Sequence, residues 1–588
     1  MRVRQPTAAA AALLLATAAL AACSGGPPAP APSPVPAPAP PAATTGDVRP
    51  SDRGAVRDGG TLRWAVDEVP ATLDVYQPAA TADSALLARA LYPSLFRPDE
   101  HGRLLADPDY LVAAESTPPG RLPQVVTYRL NPDAVWSDGT PLSAADFAAQ
   151  RAALSGLDPA YTSTRPAGYD AIDAIGPGAD AHEVTVTFRQ PCAGWRALFG
   201  PLYPATETAS AAVFNRPSTA GARVTAGPFA LSGADPAGGR ITLARNPLWW
   251  GERPKVDRID FLAVPPDRRL DALDRDQLDI APLTAAVDRA PAAPGSSADL
   301  AQASAQALRR AEALPGITVH RASAASLTQL TLNAARAPLG DPAVRRSLAR
   351  AVDRRRAAEA ALGPLGLAAA PLGSHLLAGD QDGYRDNGDA LGTADPDRLL
   401  DAAGWKRPKN GGTRARDGKE LALTLLIPAD SALARRTADA LTADLAGHGI
   451  ALRPVAVPAA AFLRDHLATG DYDLALFSWP AGPDPATEQR PVYAKPRPGP
   501  DGALAAGSNY GRSGTEEIDR LLDRAAAELD PAAQLALLQE ADTRIWQLGH
   551  SVPLFQRPDL VAVREGVVGA GAWGFGPPRF QDLGFAQG

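Results

Sequence analysis

The chain has 588 residues, and its 65 aspartate and glutamate residues outnumber its 58 lysine and arginine residues, which gives a formal net charge of −7 at pH 7. This length is sufficient for two or three hydrophobic cores. The acidic balance and the lack of a basic tract exclude nucleic acid as an expected partner, because phosphate binding needs a concentrated positive surface.

The amino terminus has the features of an export signal. Arg2 and Arg4 precede an apolar run, Ala8–Ala22, that is too short for a comfortable membrane span and fits the core of a signal peptide. The run leads into "LAACSGG", which resembles the lipobox of bacterial lipoproteins. This resemblance implies that residues 1–22 are removed, that Cys23 is acylated, and that the protein is extracytoplasmic and lipid-anchored to the outer face of the cell membrane. An ordinary secretory signal with a chance cysteine is the alternative.

Residues 23–58 are predicted to form a disordered tether. They include "PPAPAPSPVPAPAPPAATTGD", which is dense in proline and has no apolar periodicity, so we expect a stiff, extended chain. If Cys23 carries lipid, Cys192 is left as the only free thiol and has no partner for an internal disulfide. We expect Cys192 to be a packed thiol rather than a reactive one.

Beyond residue 58 the chain alternates strand and helix patterns. The sequences "GGTLRWAV" and "VVTYRL" predict strands. Ser143, with Asp146 three residues later, predicts a capped helix start. A second helix is predicted from Asp341, which caps it, to Gly363, which ends it. The sequence leaves open whether residues 285–316, rich in alanine, serine and proline, form an ordered insertion or a loose loop.

The segment from 421 to 479 has the most informative pattern. The strand patterns "LALTLLI", "IALRPVAV" and "YDLALF" alternate with two helical patterns, which predicts parallel βαβ units covered on both faces. In open α/β sheets, ligands bind outside the carboxyl ends of the strands. Trp479 lies just past such an end, so we favour a ligand-contacting role for its ring over a plug at the end of the strand.

Several blocks, in order from about residue 59 to 575, resemble the family 5 extracellular solute-binding proteins, the oligopeptide-, dipeptide- and nickel-binding group of ABC importers. They include "VTYRLNPDAVWSDGTPLSAADFAAQ", "ITLARNPLWWGERPKVDRIDF", "LTLNAARAPLGDPAVRRSLARAVDR" and "EIDRLLDRAAAELDPAAQLALLQEADTRI". The resemblance implies an α/β, two-lobed periplasmic-binding-protein type II fold with an extra subdomain. Lobe I would comprise residues 59–90, 215–318 and 545–588, the subdomain 91–214, and lobe II 319–544, with "SVPLFQRPDLVAV" returning across the hinge.

The same resemblance refines the expectation for the loop after "YDLALF". In peptide-binding relatives this loop typically runs Gly/Ser-Trp-x-Ala-Asp-Tyr, pairs with the peptide backbone, and holds the peptide ammonium with its aspartate. Ser478, Trp479 and Ala481 match this pattern. Pro480 has no N–H to donate, and Gly482 stands where the aspartate would be, which puts ordinary peptide binding in doubt.

The predicted function is that of a non-enzymatic receptor. It would enclose a small-molecule or peptide ligand and present it to an ABC permease, and we expect a monomer without cofactor. The predicted ligand-binding residues are Ser478, Trp479, Ala481, Asp484 and Glu68. No metal site is expected, because the closest histidines, His448 and His466, lack ligand spacing.

Two other functions remain open from the sequence. The first is an envelope-assembly lipoprotein of the same fold that binds a glycolipid precursor or a partner protein. The second is a secreted hydrolase, which would need a buried serine–histidine or cysteine–histidine contact as its nucleophile and base.

Overall fold

The computed structural model describes residues 45–164, 166–216, 224–290, 295–499, 504–505 and 507–587. The predicted signal peptide and Cys23 lie outside the described residues. The strands are β1 Asp47–Val48, β2 Val56–Arg57, β3 Thr61–Val66, β4 Phe96–Pro98, β5 Leu104–Ala106, β6 Leu111–Ser116, β7 Gln124–Leu130, β8 Ile172–Pro177, β9 Glu183–Phe188, β10 Phe229–Asp235, β11 Arg240–Arg245, β12 Arg258–Ala263, β13 Ile280–Pro282, β14 Ile317–Leu332, β15 Ala415–Arg416, β16 Lys419–Glu420, β17 Ala422–Pro428, β18 Ala451–Val457, β19 Leu474–Pro480, β20 Arg497–Pro498, β21 Leu504–Ala505, β22 Ser551–Arg564, β23 Val567–Val568, β24 Gly571–Ala572 and β25 Gly584–Ala586.

The α-helices lie between these strands and on their faces. They are α1 Ala82–Leu91, α2 Ala144–Leu154, α3 Ala205–Thr208, α4 Ala211–Phe214, α5 Arg269–Asp274, α6 Thr284–Val287, α7 Ser297–Glu312, α8 Pro342–Ala351, α9 Arg354–Leu362, α10 Pro396–Ala402, α11 Ala432–Gly447, α12 Ala459–Ala461, α13 Pro485–Glu488, α14 Arg490–Tyr493, α15 Glu516–Ala527 and α16 Pro531–Leu548. Among the helices of the described segments, none is both long and apolar enough to cross a bilayer.

Ten strands form one continuous sheet, in the order β10-β11-β12-β3-β13-β22-β14-β19-β17-β18. We call β10 to β13 with β3 the first half of the sheet, and β19, β17 and β18 the second half. The long antiparallel strands β14 and β22 run through both halves, pairing from Ile317 with Arg564 to Thr331 with Ser551. The pairing register shifts twice, between Ser323 and Leu327 and between Thr328 and Gln329.

The predicted βαβαβ segment is confirmed in the second half. Strand β17 lies between β18 and β19 and is parallel to both, with α11 as the first crossover. The apolar residues of these strands, among them Leu423, Leu425, Leu474 and Leu476, pack with Trp546 in one buried core. Strands β17 and β19 have apolar residues buried on both faces, as predicted, whereas the prediction is wrong for β18, which lies at the edge of the sheet and is exposed from Arg453 to Ala456.

A separate four-stranded antiparallel sheet, in the order β6-β7-β9-β8, lies within residues 91–214. Helix α2 begins as predicted, because the backbone N–H of Ser143 donates to the Asp146 carboxylate over 2.9 Å. The aromatic residues of this region, including Tyr128 and Phe147, share a buried core with Trp64 and Phe261 of the first half. The exact lobe and subdomain boundaries given by the resemblance stay a prediction.

The predicted single helix from Asp341 to Gly363 is wrong. It is broken into α8 and α9, because Val352 takes an extended conformation and the Asp353 side chain accepts from the backbone N–H groups of Arg355 and Arg356, which caps a new helix start. The apolar stripe is continuous across the break, so the periodicity alone did not reveal it.

The boundary of the predicted tether is too late. Residues 45–58 lie on the folded body, where β1 pairs with β24 and β2 pairs with β25. Asp47 accepts from the backbone N–H of Arg321 over 2.9 Å and lies 2.9 Å from Nδ1 of His320. Val56 is 2% exposed. The proline-rich part before residue 45 is outside the described residues.

Two questions left by the sequence have structural answers. Within residues 285–316, Ser297–Glu312 is a 16-residue helix capped by Ser296, so this part of the insertion is ordered. Cys192 is a buried free thiol, and burial raises its pKa to about 12, which keeps it protonated. The expectation of a packed rather than reactive thiol is confirmed.

Candidate functional site

The candidate site begins where β19 ends. Trp479 and Pro480 are the last residues of the strand and pair with Leu327 and Ser326 of β14. Pro485 then occupies the first position of the short helix α13, preceded by Asp484. The chain between Pro480 and Pro485 cannot continue the strand because proline donates no ladder hydrogen bond, and it forms a turn beside the last strand residues.

The Trp479 ring is held by two other aromatic rings. It stacks on Tyr510 with 5.5 Å between ring centroids and 12° between ring planes, and it meets Phe477 edge-on at 5.5 Å. The ring is half-buried, and its Nε1 donor has no acceptor among the described residues. Because Nε1 is itself buried, the fixed ring rather than this donor is suited to contact a ligand.

Trp479 borders a cavity of about 490 Å³ that we call the tryptophan cavity. One wall is formed by the end of β19 and the chain that follows it, from Trp479 to Val492. The other wall is formed by Tyr76 and by residues between Thr164 and Gly200. Asp484, Glu488 and Cys192 also contribute to the lining. A volume of this size lies in the range of protein sites for small ligands.

A second cavity, of about 340 Å³, adjoins the first, and we call it the arginine cavity. It shares Ala197, Gly200 and Glu488 with the tryptophan cavity. Its lining includes four arginines, which are Arg89, Arg97, Arg196 and Arg579. The shared residues make the two cavities neighbours within one candidate site.

Glu488 is the acidic group common to both cavities. Glu488 is exposed and lines both cavities, and the protein packed around it, with a further contribution from the Asp484 carboxylate, raises its pKa to about 8. Within the described parts of the chain, no lysine, arginine or histidine lies at ion-pair distance from it. Backbone N–H groups of Gly482 and Asp484 are hydrogen-bonded to this carboxyl, and without a cationic partner it remains able to accept from a ligand cation.

Two glycines allow the acidic side chains to take these positions. A Cβ at Gly482 would lie 1.7 Å from Oε2 of Glu488, and a Cβ at Gly194 would lie 1.7 Å from Oδ2 of Asp484. The Glu488 carboxyl therefore occupies the space in which a side chain at position 482 would lie. Asp484 packs directly against the segment that carries Gly194, so the second half of the sheet touches the opposite wall here.

The other predicted ligand-binding residues lie away from these cavities. The Ser478 hydroxyl is 2.8 Å from that of Thr328, inside the sheet. Ala481 is buried against Leu327, and its N–H donates to the Ala325 carbonyl. Glu68 is exposed after β3 and lines neither cavity, so the structure does not bring it to the site. Their ligand contacts stay a prediction.

A buried serine–histidine contact does exist, between Oγ of Ser551 and Nδ1 of His550 at 3.1 Å. Nε2 of His550 is 3.0 Å from Asn509 Oδ1, and His375 is 2.8 Å from the Asp542 carboxylate nearby. Each of these side chains is at most 2% exposed and borders neither cavity. The arrangement joins α16 and the start of β22 within the core, and it offers no access to a substrate.

The sequence reasoning missed Tyr510, Glu488, Gly194 and the arginines of the second cavity. These residues come from segments far apart in the chain, and no local spacing marks them. The sequence held one indication of Glu488. It is an acidic residue in the same loop as Gly482, where the aspartate of the peptide-binding relatives is missing. In the part of the chain that the structure describes, no group of histidine, cysteine or acidic residues is arranged to hold a metal ion.

Comparison with known proteins gives matches of different extent. The family model "Bacterial extracellular solute-binding proteins, family 5 Middle" matches residues 123–499. The oligopeptide-binding protein OppA of Mycobacterium tuberculosis is 34% identical over 551 residues, which is 92% of this chain and 88% of that protein. The "Probable monoacyl phosphatidylinositol tetramannoside-binding protein LpqW" of the same organism is 30% identical over 290 residues, 47% of this chain and 41% of that protein.

The solved structure of the periplasmic EDTA-binding protein EppA has a TM-score of 0.78 at 24% identity, and the match covers 92% of this chain and 98% of that chain. This likeness concerns the fold, and it confirms the expected α/β periplasmic-binding-protein architecture with several domains. The family model covers most of the chain, and OppA is similar along nearly its whole length. The chain therefore belongs to the bacterial extracellular solute-binding proteins of family 5.

Proposed function

We propose that the chain is a non-enzymatic receptor that binds a short peptide, or a compound with peptide-like groups, and delivers it to the permease of an ABC importer. Peptide binding is supported by the similarity to OppA along 92% of the chain. The observation that carries the proposal is the adjoining pair of cavities, with the fixed Trp479 ring on one wall and the Glu488 carboxyl, which lines both, between them.

Ligand capture is proposed to involve movement of the second half of the sheet toward residues 164–200. In this proposal, the contact between Asp484 and the Gly194 segment would form when the two walls come together. A ligand that touches both walls would bind this state better than an open one and would shift the population toward it. The permease would then recognise the enclosed form.

The peptide backbone is not expected to pair with the edge of β19. Pro480 has no N–H, and its carbonyl already accepts from Nε2 of Gln489 over 2.9 Å. Binding would depend on stacking at Trp479 and on charges at the two ends of the ligand. We propose Glu488 as the acceptor of a ligand ammonium, a role that belongs to the loop aspartate in peptide-binding relatives and that Gly482 cannot fill here.

The membrane attachment is proposed from the amino terminus alone. Acylation of Cys23 would hold a monomeric, extracytoplasmic receptor at the outer face of the membrane, since acyl chains contribute about 0.8 kcal/mol per buried CH₂. The measurement is the membrane fraction of the full chain and of Cys23→Ser. Release of the variant into the medium is the expected result.

The function is tested by mass spectrometry of small molecules that co-purify with the full chain. A set of short peptides should be found with the wild type and be depleted by about tenfold in Trp479→Ala, because a stacked aromatic contact contributes about 0.5–1.5 kcal/mol beyond its buried area. Trp479→Phe should retain most of them. Recovery of no peptide under any condition would contradict peptide binding.

The envelope-assembly function is the second candidate, supported by the match to LpqW. That match covers 47% of the chain, against 92% for OppA, so it carries less weight. A glycan-bearing or lipid-like mass in the same experiment would favour this function over peptide import.

A further inference from the structure

The arginine cavity contains two guanidinium groups without an acidic partner. Arg97 pairs with Asp107 at 2.7 Å, and Arg579 pairs with Asp109 at 3.4 Å. In contrast, the side chains of Arg89 and Arg196 have no hydrogen-bond acceptor and no carboxylate at ion-pair distance among the described residues. The carboxylates Asp107 and Asp109 of this cavity are therefore already used, and two positive charges remain.

Arg89 is directed to the cavity by the helix that carries it. Ala85, Ala88, Arg89 and Tyr92 all line the cavity, and their spacing places them on one face at the end of α1. The other residues of that turn, Leu87 and Leu91, are fully buried in the core. The guanidinium is thus held on a rigid element rather than on a loop.

Arg196 approaches from the opposite segment, in the short turn that also bears Gly194. Its guanidinium lies over the ring of Trp195, 4.2 Å from the centroid, which fixes its orientation without neutralising its charge. Both side chains are exposed, and the protein around them lowers the pKa of each guanidinium. An exposed guanidinium without an acidic partner keeps its N–H groups available to a bound anion.

We propose that Arg89 and Arg196 form a subsite for an oxyanion, which in a peptide ligand is its terminal carboxylate. Guanidinium groups bind carboxylates through two parallel N–H···O bonds, so this subsite selects a planar anion with defined orientation. Glu488 lies between the two cavities and is not ion-paired with either arginine. The site as a whole then suits a ligand with charges of opposite sign at its two ends. The inference rests on the proposed function, because it names the part of the ligand that the arginine cavity holds.

The test compares two pools of random tripeptides, one with free carboxyl ends and one with amidated ends. Retention by the full chain is measured by equilibrium dialysis and mass spectrometry. We expect the wild type to bind the free acids at least about tenfold more tightly than the amides. An amidated end cannot make the charge-assisted hydrogen bonds that a carboxylate makes with a guanidinium. Arg89→Gln, Arg196→Gln and the double variant should lose this preference, and Arg89→Lys should keep part of it.

Arg355→Gln, at an exposed position on α9 away from both cavities, is the matched control and should behave as the wild type. Equal retention of both pools by the wild type, or an unchanged preference in the double variant, would overturn the subsite while leaving peptide binding intact. The ligand-free glutamine variants should unfold at nearly the same temperature as the wild type, because each side chain is exposed and has no acidic partner to lose.

If the wild type retains neither pool, the proposed function is contradicted. The oxyanion subsite is then tested separately, with inorganic phosphate as the probe. A rise in the unfolding temperature of the wild type with phosphate, absent in the double variant, would support the oxyanion subsite for a ligand other than a peptide. An equal response of wild type and double variant, including no response in either, would overturn it.

Discussion

The carboxyl group of Glu488 lies where a side chain at Gly482 would lie, with 1.7 Å between Oε2 and the position of a Cβ. An acidic group is thus present beside the Trp479 turn although position 482 itself has no side chain. The acid comes from six residues farther along the chain, on the short helix α13. The two positions cannot both be filled without a shift of the Glu488 side chain.

We therefore expect Gly482→Ala to weaken the binding of ligands with an ammonium group. The new methyl group displaces the flexible end of Glu488 rather than any backbone, so the fold should persist. Peptides with a free amino terminus should bind about tenfold less tightly, as for a lost charge-assisted hydrogen bond, and N-acetylated peptides should be unaffected. Calorimetric titration of both peptide sets measures this.

Gly447→Ala provides the control for the glycine substitution, since nothing lies within 4 Å of its added Cβ at the end of α11. This variant should bind both peptide sets normally. Unchanged affinity of Gly482→Ala for free-amine peptides would show that Glu488 does not contact the ligand amine.

Binding of a cationic ligand should release a proton near neutral pH. The pKa of Glu488 is raised to about 8, so the carboxyl is largely protonated below that pH, and an ammonium group favours its ionised form. The apparent affinity should rise with pH from about 6 to between about 7 and 8, and it should fall at higher pH, where the ligand amine with its pKa of about 8 loses its charge. Between about pH 6 and 7 the ligand amine stays charged, so the released proton comes from the protein.

Calorimetry in two buffers of different ionisation enthalpy counts this proton. Glu488→Gln should bind more weakly and release no proton, with little pH dependence over the same interval. A proton count that is the same in the wild type and in Glu488→Gln would assign the titration to another group.

Acid should destabilise the fold through His550. Burial, with the neighbouring His375 and Arg345, lowers the pKa of His550 to about 3, below its ordinary value of 6.5. A base with a depressed pKa contributes stability that is present above pH 6.5 and is lost as the pH falls toward 3. The loss for one such group is at most about 1.4 kcal/mol per pH unit.

Buried acids act in the opposite direction, since the pKa of Asp74 is raised to about 7 and that of Asp559 to about 6. The comparison is therefore made between variants, by urea unfolding at about pH 7 and about pH 5. His550→Gln should lose less stability between these values than the wild type. His466→Gln, at a more exposed position, should follow the wild type. An equal loss of unfolding free energy between the two pH values in all three proteins would exclude His550 as the cause.

Removal of residues 45–58 should destabilise the body. Such a chain loses the β1 and β2 pairings, the contacts of Asp47 with His320 and Arg321, and the burial of Val56. We expect a cost of about 3 kcal/mol from one buried valine and a few hydrogen bonds. A chain beginning at residue 45 should unfold like the full chain, whereas one beginning at residue 59 should unfold at a lower temperature. Equal unfolding temperatures would show that the segment adds nothing to stability.

The sequence predicted those parts of the fold that local periodicity determines. The βαβαβ order around β17 and the capped start of α2 were readable because each depends on neighbours within a few residues. The break at Asp353 was not, since an aspartate in a helical pattern caps a new helix only when the preceding backbone becomes extended. The strands formed by Asp47–Val48 and Val56–Arg57 were missed because each has only two residues and gains its partner from the carboxyl terminus.

The candidate site was predicted only at Trp479 and Asp484, which follow a recognisable strand end. Arg89, Arg196 and Tyr510 reach the same region from segments separated by more than a hundred residues, and their charges and rings would suit an exposed surface equally well. Their role follows from the cavities, which no sequence pattern encodes. Glu68 shows the converse case. It also follows the end of a strand, β3, but it lines neither cavity.

The interrupted pairing of β14 with β22 has a kinetic consequence for ligand release. Between Ser323 and Leu327 the regular ladder is already absent, so bending there during closure breaks few backbone hydrogen bonds. The barrier to opening would then arise mainly at the far side, where Asp484 packs on Gly194 and the ligand joins both walls. The dwell time of a bound molecule would therefore depend on its own contacts more than on the stiffness of the connecting strands.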